Sequence, residues 1–326
     1  MRILVWHVHG GWMDAFVRGR HEYLLPVQAN GDGGKGARPW SNAVDIEPAE
    51  LRDADVDVVV LQRLEEIEEA ELLLGRRPGR DVPAVFVEHN TPRVDVPCSV
   101  HPLGDRSDIV IVHVTHFNRL FWDCGRAPTT VIEHGIVDPG YRYTGELARL
   151  GAVINEPVRR WRVTGSDLLA EFGQAVPVDV FGMQAEGFAA ALGVSASAVQ
   201  AAGDLPTERL HDELGRRRAY LHPVRWTSLG LSLLEAMHLG MPVIALDTTE
   251  VRRAVPPEAG FVSTEPDELV RAAARLAADP DEARMMGLAA RQVALERYGL
   301  DRFLADWDVL LEGCVARHRS AREARR

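Results

Sequence analysis

Residues 222–246 read HPVRWTSLGLSLLEAMHLGMPVIAL, and the rest of the chain is organised around this stretch. The apolar spacing of residues 231–240 predicts a helix with its leucines on a buried stripe and with Glu235 and His238 off that stripe. The glycine and proline that follow end the helix, and residues 242–246 predict a short buried strand. A strand, a polar turn containing glycine and a helix, in this order, present backbone N–H groups at the helix N-terminus to an anion.

Short apolar strands alternate with helices along the remainder of the chain. The predicted strands are 2–8, 21–27, 56–61, 82–87, 108–114, 129–132, 151–154, 176–181, 218–221 and 260–263, and the predicted helices are 12–17, 64–74, 116–122, 164–172, 208–214, 265–278, 282–298 and 301–315. This alternation is typical of a doubly wound α/β sheet. Ligands of such sheets bind beyond the carboxyl ends of the strands, where His9, His89 and His134 are predicted to lie.

The composition argues against several classes of function. The chain has 326 residues and a net charge of −11, so it lacks the broad basic surface of a nucleic-acid-binding protein. No apolar run is long enough for a transmembrane segment, and the first strand is too short for a signal peptide. The three cysteines have no metal-binding or redox spacing and suit a reducing compartment, so we expect a cytoplasmic protein.

The opening stretch also resembles a known family. The nucleotide-binding signature of GT-B glycosyltransferases of the GT4 type (glycosyl transferases group 1) has matching residues here at Pro223, Gly230, Leu231, Leu234-Glu235-Ala236-Met237, Gly240, Pro242 and Val243. The resemblance is strongest over residues 159–291. It implies two Rossmann-like α/β domains that face each other across a cleft, with a C-terminal helix that crosses back to the N-terminal domain. The implied domains are 1–140 on the acceptor side, 141–299 for the nucleotide sugar, and 300–326 as the C-terminal helix and a basic tail.

The same resemblance implies an activity. It indicates a hexosyltransferase that moves a sugar from a nucleotide-diphosphate sugar, a UDP- or GDP-sugar, to an acceptor with retention of anomeric configuration. The nucleotide sugar is then a co-substrate, and we expect no cofactor and no obligatory metal. A small molecule, a glycan and a protein all stay open as the acceptor. Catalysis would rest on positioning and on electrostatic stabilisation of the departing diphosphate.

Individual residues can be assigned to these tasks. Glu235 lies one helical turn beyond Gly230, and its carboxylate can accept hydrogen bonds from both hydroxyls of a ribose diol. Arginine forks suit diphosphate oxygens, and Arg159 falls at the family's arginine position. The predicted donor-binding set is Gly10, Gly11, Arg159, Arg160, Thr164, Ser228, Leu229, Gly230, Leu231 and Glu235. The predicted catalytic residues are His89, at a strand end near the reacting sugar, with Arg159 and Thr227.

Two positions depart from the family pattern. Thr227 replaces a glutamate that contacts the transferred sugar, and it lacks a charge-assisted hydrogen bond worth about 1.5–3 kcal/mol. Thr164 replaces a lysine, whose charge Arg160 or Arg162 could supply. These departures leave a second interpretation open, namely a non-catalytic nucleotide-sugar-binding or partner subunit.

Histidine pairs suggest a third interpretation. His7 and His9 are two residues apart on one face of a strand, and His113 and His116 are three residues apart. Such pairs could begin a metal site of a metal-dependent hydrolase. Because the chain has no specific metal-binding motif, we assign no metal-ligating residue.

Overall fold

The computed structural model describes residues 1–27 and 33–324, except for the side chain of Arg322. The chain divides into two units. The N-terminal unit consists of Met1–Val137 together with the segment from Leu300 onward, and the C-terminal unit consists of Asp138–Gly299. Residues 325–326 of the predicted basic tail lie outside the described residues. Within the described parts of the chain, no helix is both long and apolar enough to cross a membrane.

The N-terminal unit alternates strands with helices. Its described strands are β1 (Arg2–Val5), β2 (Glu22–Pro26), β3 (Ala43–Ile46), β4 (Val58–Leu61), β5 (Ala84–Glu88), β6 (Val110–His113) and β7 (Thr129–Val131). Its helices up to that point are α1 (Gly10–Phe16), α2 (Pro48–Leu51), α3 (Glu65–Leu74) and α4 (His116–Phe121), with a 3-10 turn at Val96–Cys98.

These strands form one parallel sheet in the order β3-β2-β1-β4-β5-β6-β7. Successive side chains of a strand point to opposite faces. Ile3 and Val5 therefore belong to one apolar cluster, whereas Leu4 belongs to another. Burial on both faces explains why the central strands read as continuous apolar runs in the sequence.

The C-terminal unit repeats this arrangement. Its described strands are β8 (Leu147–Val153), β9 (Val178–Phe181), β10 (Val199–Gly203), β11 (Arg217–His222), β12 (Val243–Leu246) and β13 (Gly260–Ser263). Its helices are α5 (Pro157–Thr164), α6 (Leu169–Ala175), α7 (Phe188–Leu192), α8 (Thr207–Gly215), α9 (Leu231–Leu239), α10 (Val251–Ala254), α11 (Pro266–Ala278) and α12 (Pro280–Tyr298), with a 3-10 turn at Ser166–Leu168.

The second sheet is also parallel, in the order β10-β9-β8-β11-β12-β13. In both sheets the first strand of the unit lies in the middle and the strand order reverses beside it, as in doubly wound nucleotide-binding folds. The predicted fold class, two Rossmann-like α/β units, is therefore confirmed.

The last helix, α13 (Leu300–Glu323), belongs to the N-terminal unit. Its Phe303 and Trp307 are buried in the same apolar cluster as Trp12 and Phe16 of α1. The ring centroids of Trp307 and Phe16 lie 5.0 Å apart in an edge-on arrangement. The apolar face of this helix therefore forms part of the core of the N-terminal unit.

The structure also corrects several local predictions. Strands β3 and β10 were not predicted, because both are edge strands with few buried side chains and therefore a weak apolar pattern. The helix predicted at 164–172 is wrong, because Gly165 adopts a left-handed φ of 69° and separates α5 from α6. The carbonyl of Pro223 lies against Gly165, which leaves no room there for a side chain.

The apolar pattern predicted that His238 lies off the buried stripe of α9, and the structure differs. The residue is fully buried, because α9 packs against both α8 and α12. Nδ1 of His238 donates to the carbonyl of Leu234 at 2.8 Å, and Arg291 of α12 donates to the backbone carbonyl of His238. A helix covered on both sides buries polar as well as apolar positions.

Candidate functional site

Each sheet has a crevice where its strand order reverses, between β1 and β4 in the N-terminal unit and between β8 and β11 in the C-terminal unit. At such a point the loops that follow the two neighbouring strands diverge, and ligands of doubly wound folds bind there. The predicted residues fall into two groups, one at each crevice.

In the N-terminal unit, the glycine pair after β1 forms the first turn of α1 instead of a separate loop, since the helix begins at Gly10. A side chain at Gly10 would approach Nη2 of Arg38 to 2.9 Å. Arg38 also donates from Nη1 to Asp14 of α1 at 2.9 Å. Arg38 could not be predicted from the sequence, because it lies in a loop, 24 residues after Asp14, and reaches the crevice only in the folded chain.

His89 follows β5 and lies beside His9, with ring centroids 4.1 Å apart. Gln62, at the end of β4, donates from Nε2 to the carbonyl of Trp6 at 2.7 Å. This bond turns its Oε1 toward His89 Nε2, 3.1 Å away. Nε2 of His89 is therefore the protonated donor and Nδ1 is an acceptor, since neutral imidazole has one of each. Gln62 was missed because an isolated glutamine carries no sequence pattern.

The histidines of this crevice are held in the neutral state. Burial, and next the charges of His9 and His134, lower the pKa of His89 well below its usual value. Burial also lowers the pKa of His9, and it lowers the pKa of His134 to about 4, with Arg302 as the second cause. At neutral pH the group offers hydrogen-bonding imidazoles and no positive charge.

In the C-terminal unit, residues 223–230 connect β11 to α9. A Cβ on Gly230 would come within 2.8 Å of Cε1 of His222, so the loop backbone passes directly over this ring. Ser228 and Leu229 are buried, whereas Thr227, Gly230 and Leu231 are partly exposed. The loop thereby brings the backbone of residues 229–231 to the amino end of a nine-residue helix, where N–H groups favour an anion.

Glu235 projects from the second turn of α9, with its side chain 26% exposed. One carboxylate oxygen lies 3.8 Å from Nε2 of His211 on α8, beyond normal hydrogen-bonding distance. Neither ring nitrogen of His211 has a hydrogen-bond partner in the described part of the chain. Glu235 is thus accessible to a ligand and not committed to a strong ion pair.

The predicted diphosphate-binding residues are in different situations. Arg159 lies in α5 and is 68% exposed; its Nε donates to Glu156 at 2.7 Å. Arg160 is in the same helix. Thr164 is buried, and its hydroxyl is 2.8 Å from that of Ser166, so a contact of Thr164 with a donor is not supported. Thr164 was predicted as the first residue of a helix over 164–172, whereas it is the last residue of α5, where its side chain is buried.

Left-handed backbone accumulates at the carboxyl ends of the C-terminal sheet. Glu156 after β8, Gln184 after β9 and Thr249 after β12 have φ values of 55°, 55° and 50°. Such conformations cost about 1–3 kcal/mol each in non-glycine residues and are concentrated at ligand sites. The hydroxyl of Thr249 is buried without a partner among the described residues. Only the coordinates identify these positions, because none of the three is a residue type that predicts a positive φ strongly.

The histidine pairs do not gather into a metal centre. His7 Nδ1 lies 3.1 Å from the carbonyl of Gly34, and Nε2 of His113 lies 3.5 Å from the thiol of Cys124. In residues 1–27 and 33–324 there is no group of three or more His, Cys, Asp or Glu side chains arranged to hold a metal ion.

Part of the chain matches a known protein family. Residues 183–293, which include β11, α9 and Glu235, match the family described as Glycosyl transferases group 1. A search of the curated proteins finds no match to the chain.

Several solved structures are similar in fold at low identity. Sucrose-phosphate synthase from Thermosynechococcus elongatus is 14% identical, with a TM-score of 0.73 over 97% of this chain and 99% of that one. Anabaena HepE, solved in complex with UDP, is 14% identical, with a TM-score of 0.68 over 96% and 99%. TarM of S. aureus, solved with UDP, is 14% identical, with a TM-score of 0.62 over 78% of this chain. The chain spans about half of TarM, or 55% of its length. The chain therefore has the two-unit α/β fold known as GT-B, and its residues 183–293 match the family model of the glycosyl transferases group 1.

Proposed function

We propose that the protein is a glycosyltransferase that moves a sugar from a nucleotide-diphosphate sugar to an acceptor hydroxyl, with retention of anomeric configuration. One observation carries the proposal: the family match covers the loop and helix that place Glu235 and the α9 amino end at the crevice of the second sheet. UDP is the first nucleotide to test, because the solved structures of HepE and TarM contain it.

The C-terminal crevice supplies the groups for a donor. The N–H groups around Leu229–Leu231 receive the diphosphate at the start of α9, and Glu235 holds the ribose diol through two hydrogen bonds. To bind the diphosphate, the guanidinium of Arg159 must leave the carboxylate of Glu156. This exchange costs little, because solvent screens an exposed ion pair and Arg159 is two-thirds exposed.

The transfer itself needs no covalent step on the protein. The bond from the anomeric carbon to the diphosphate breaks, and its electron pair leaves with the diphosphate. The acceptor oxygen forms the new bond on the same face, and its proton passes to the departing phosphate oxygen. The protein contributes position and charge stabilisation, with His89 as a neutral hydrogen-bonding group at the N-terminal crevice.

A non-catalytic nucleotide-sugar-binding subunit is the second candidate. It is favoured by Thr227, which is uncharged, and by Thr164, which is buried. Under either function we place the protein in the cytoplasm, because its three cysteines are free thiols. Turnover of a nucleotide sugar separates the two candidates, since a binding subunit retains nucleotide affinity without releasing free sugar or a glycoside.

Calorimetric titration with UDP, GDP, ADP and TDP, with and without chelator, tests the proposal. We expect one nucleotide to bind with micromolar affinity that the chelator leaves unchanged. Glu235→Gln keeps the side-chain shape but loses the charge, so Kd should rise about 30–150-fold, as for the loss of about 2–3 kcal/mol. Glu258→Gln is the matched control at an exposed position, and its affinity should equal that of the wild type. Equal affinity of both variants would refute the role of Glu235.

A further inference from the structure

The N-terminal unit contains a cavity of about 640 Å³ at the amino ends of β5 and β6, at the opposite end of the strands from the crevice. We call it the amino-edge cavity. The apolar part of its wall consists of small residues, namely Pro83, Ala84, Val110, Pro128 and Cys314. A strand rises about 3.3 Å per residue, so Ala84 is roughly 16 Å from His89 along β5. A ligand in this cavity therefore does not reach the histidines of the crevice.

The loop that carries Arg80 is fixed on both sides of the amino-edge cavity. On the sheet side, Gly79 has a φ of 85°, and a Cβ there would come within 2.7 Å of Oδ2 of Asp108 and 2.9 Å of the Asp108 carbonyl oxygen. On the helix side, Nε2 of His318 in α13 lies 3.1 Å from the carbonyl oxygen of Arg80. Nε2 is the donor of this hydrogen bond, because a carbonyl oxygen only accepts. The cavity is therefore formed before a ligand arrives.

Two arginines line the cavity without a carboxylate partner. Arg80 and Arg317 are both exposed, and neither forms an ion pair with an Asp or Glu in the part of the chain that the structure describes. Asp81, the acid next to Arg80 in the chain, accepts instead from Nε of Arg77 at 3.1 Å. Arg317 donates to the thiol of Cys314 at 3.2 Å, and a thiol is a weak acceptor. Both guanidinium groups can therefore bind an anion at little cost.

The negative charge that lines the cavity is already compensated. Asp108 is the sole carboxylate among the described lining residues, and Arg106 binds it with a fork, from Nε to Oδ1 at 2.8 Å and from Nη2 to Oδ2 at 2.9 Å. These hydrogen bonds lower the pKa of Asp108. The charges of Arg80 and Arg317 therefore remain in excess, in a chain whose net charge is −11. Two like charges at one cavity repel each other, and an anion bound between them removes this repulsion.

We propose that the amino-edge cavity binds an organic anion, a carboxylate or phosphate group on an apolar ring. Arg80 and Arg317 bind the oxyanion, whose oxygens suit the guanidinium fork, and the ring lies against the small apolar residues. Cavities of roughly 300–1,000 Å³ that combine apolar walls with a few polar groups are typical of small-molecule sites. The adjoining groove has acidic side chains, among them Asp55 and Asp57, which confine an anion to the cavity. This site is separate from the proposed glycosyl transfer, because it lies at the other end of the strands.

Ligand-observed NMR titration tests the site with three probes: 2-naphthoate, the neutral 2-naphthol and inorganic phosphate. We expect the wild type to bind 2-naphthoate with a Kd of about 1 mM or tighter, and the other two probes about tenfold more weakly or worse. The double variant Arg80→Gln, Arg317→Gln should bind 2-naphthoate about tenfold more weakly or worse, because it loses both charge-assisted contacts. Arg284→Gln is the matched control, at an exposed position of α12, and should bind as the wild type does. Both positions of the double variant are exposed, so its Tm should equal that of the wild type.

The inference is overturned if the wild type does not bind 2-naphthoate, or if the double variant binds it as tightly as the wild type does. Equal binding of 2-naphthol would contradict the role of the arginines, and equal binding of phosphate would contradict the role of the apolar wall. Saturating UDP should leave 2-naphthoate bound; displacement would place the probe in the donor site and also overturn the inference. The proposed function is tested separately, because it fails only if no nucleotide binds, whatever 2-naphthoate does.

Discussion

Gly230→Ala tests whether the loop before α9 lies as close to His222 as the structure places it. Gly230 has φ −70° and ψ 125°, which alanine adopts without strain, so only the new methyl group matters. That methyl would lie 2.8 Å from Cε1 of the His222 ring. Carbon atoms prefer about 3.5–4.0 Å, so the overlap is roughly 0.7 Å or more. Overpacking of this kind costs about 1–3 kcal/mol.

Thermal unfolding followed by circular dichroism gives the size of this effect. A loss of about 1–3 kcal/mol corresponds to a fall in Tm of roughly 2–12 °C for a unit of this size. Gly313→Ala is the control, because Gly313 lies inside α13, where alanine should stabilise by about 0.5–1 kcal/mol. Gly230→Ala should also weaken UDP binding, because it moves the N–H groups at the start of α9.

A double-mutant cycle identifies the cause. In a His222→Ala background the ring is absent, so alanine at position 230 no longer overlaps with it. The substitution should then be neutral or stabilise the protein by about 0.4–1 kcal/mol, because alanine restricts the unfolded chain more than glycine does. The destabilisation by Gly230→Ala is therefore expected to disappear or to become a stabilisation in the His222→Ala background. The same destabilisation in both backgrounds would refute the proposed contact.

Three further predictions follow from buried groups. Burial lowers the pKa of His134 to about 4, so below pH 6.5 the unfolded state gains a proton that the folded state does not. The free energy of unfolding should therefore fall between pH 7 and pH 5, and this fall should be about 2 kcal/mol smaller in His134→Gln than in the wild type. Equal falls in the two proteins, measured by urea unfolding, would contradict this. Trp307→Ala should cost about 3–5 kcal/mol in urea unfolding, whereas Val309→Ala on the same helix, at an exposed position, should change stability by less than about 0.5 kcal/mol. Gln62→Met removes the amide that orients His89, so kcat should fall about tenfold or more at unchanged UDP affinity; a parallel loss of UDP affinity would argue against a positioning role.

Much of the architecture can be predicted from local patterns. The strand–turn–helix–strand order of residues 222–246 appears in the structure as β11, the loop, α9 and β12, because apolar periodicity and the Gly240–Pro242 stop are local signals. The edge strands β3 and β10 were missed, since half-exposed edges have little apolar pattern. His238 was misplaced, because a periodicity argument assumes one buried face, whereas α9 is covered from two directions.

Some residues of the candidate site could be predicted from local patterns, and others could not. The placement of the residues before and within α9 could be predicted from their spacing along one helix, whereas their donor-binding role was implied by the family resemblance. Arg38, Gln62 and the left-handed Thr249 could not, since each reaches a crevice through contacts between distant segments. The buried position of Thr164 likewise depends on how α5 packs.

The sequence by itself determined the fold class, the two-unit order and the Glu235-containing motif, because these depend on the period of apolar residues and on turn chemistry within short segments. The tertiary structure alone decided that His9, His89 and Gln62 meet at one crevice, that Phe303 and Trp307 of α13 join the N-terminal core, and that Thr164 is buried. Those arrangements arise from parallel strand order and side-chain packing between residues far apart in the chain, which no local pattern encodes.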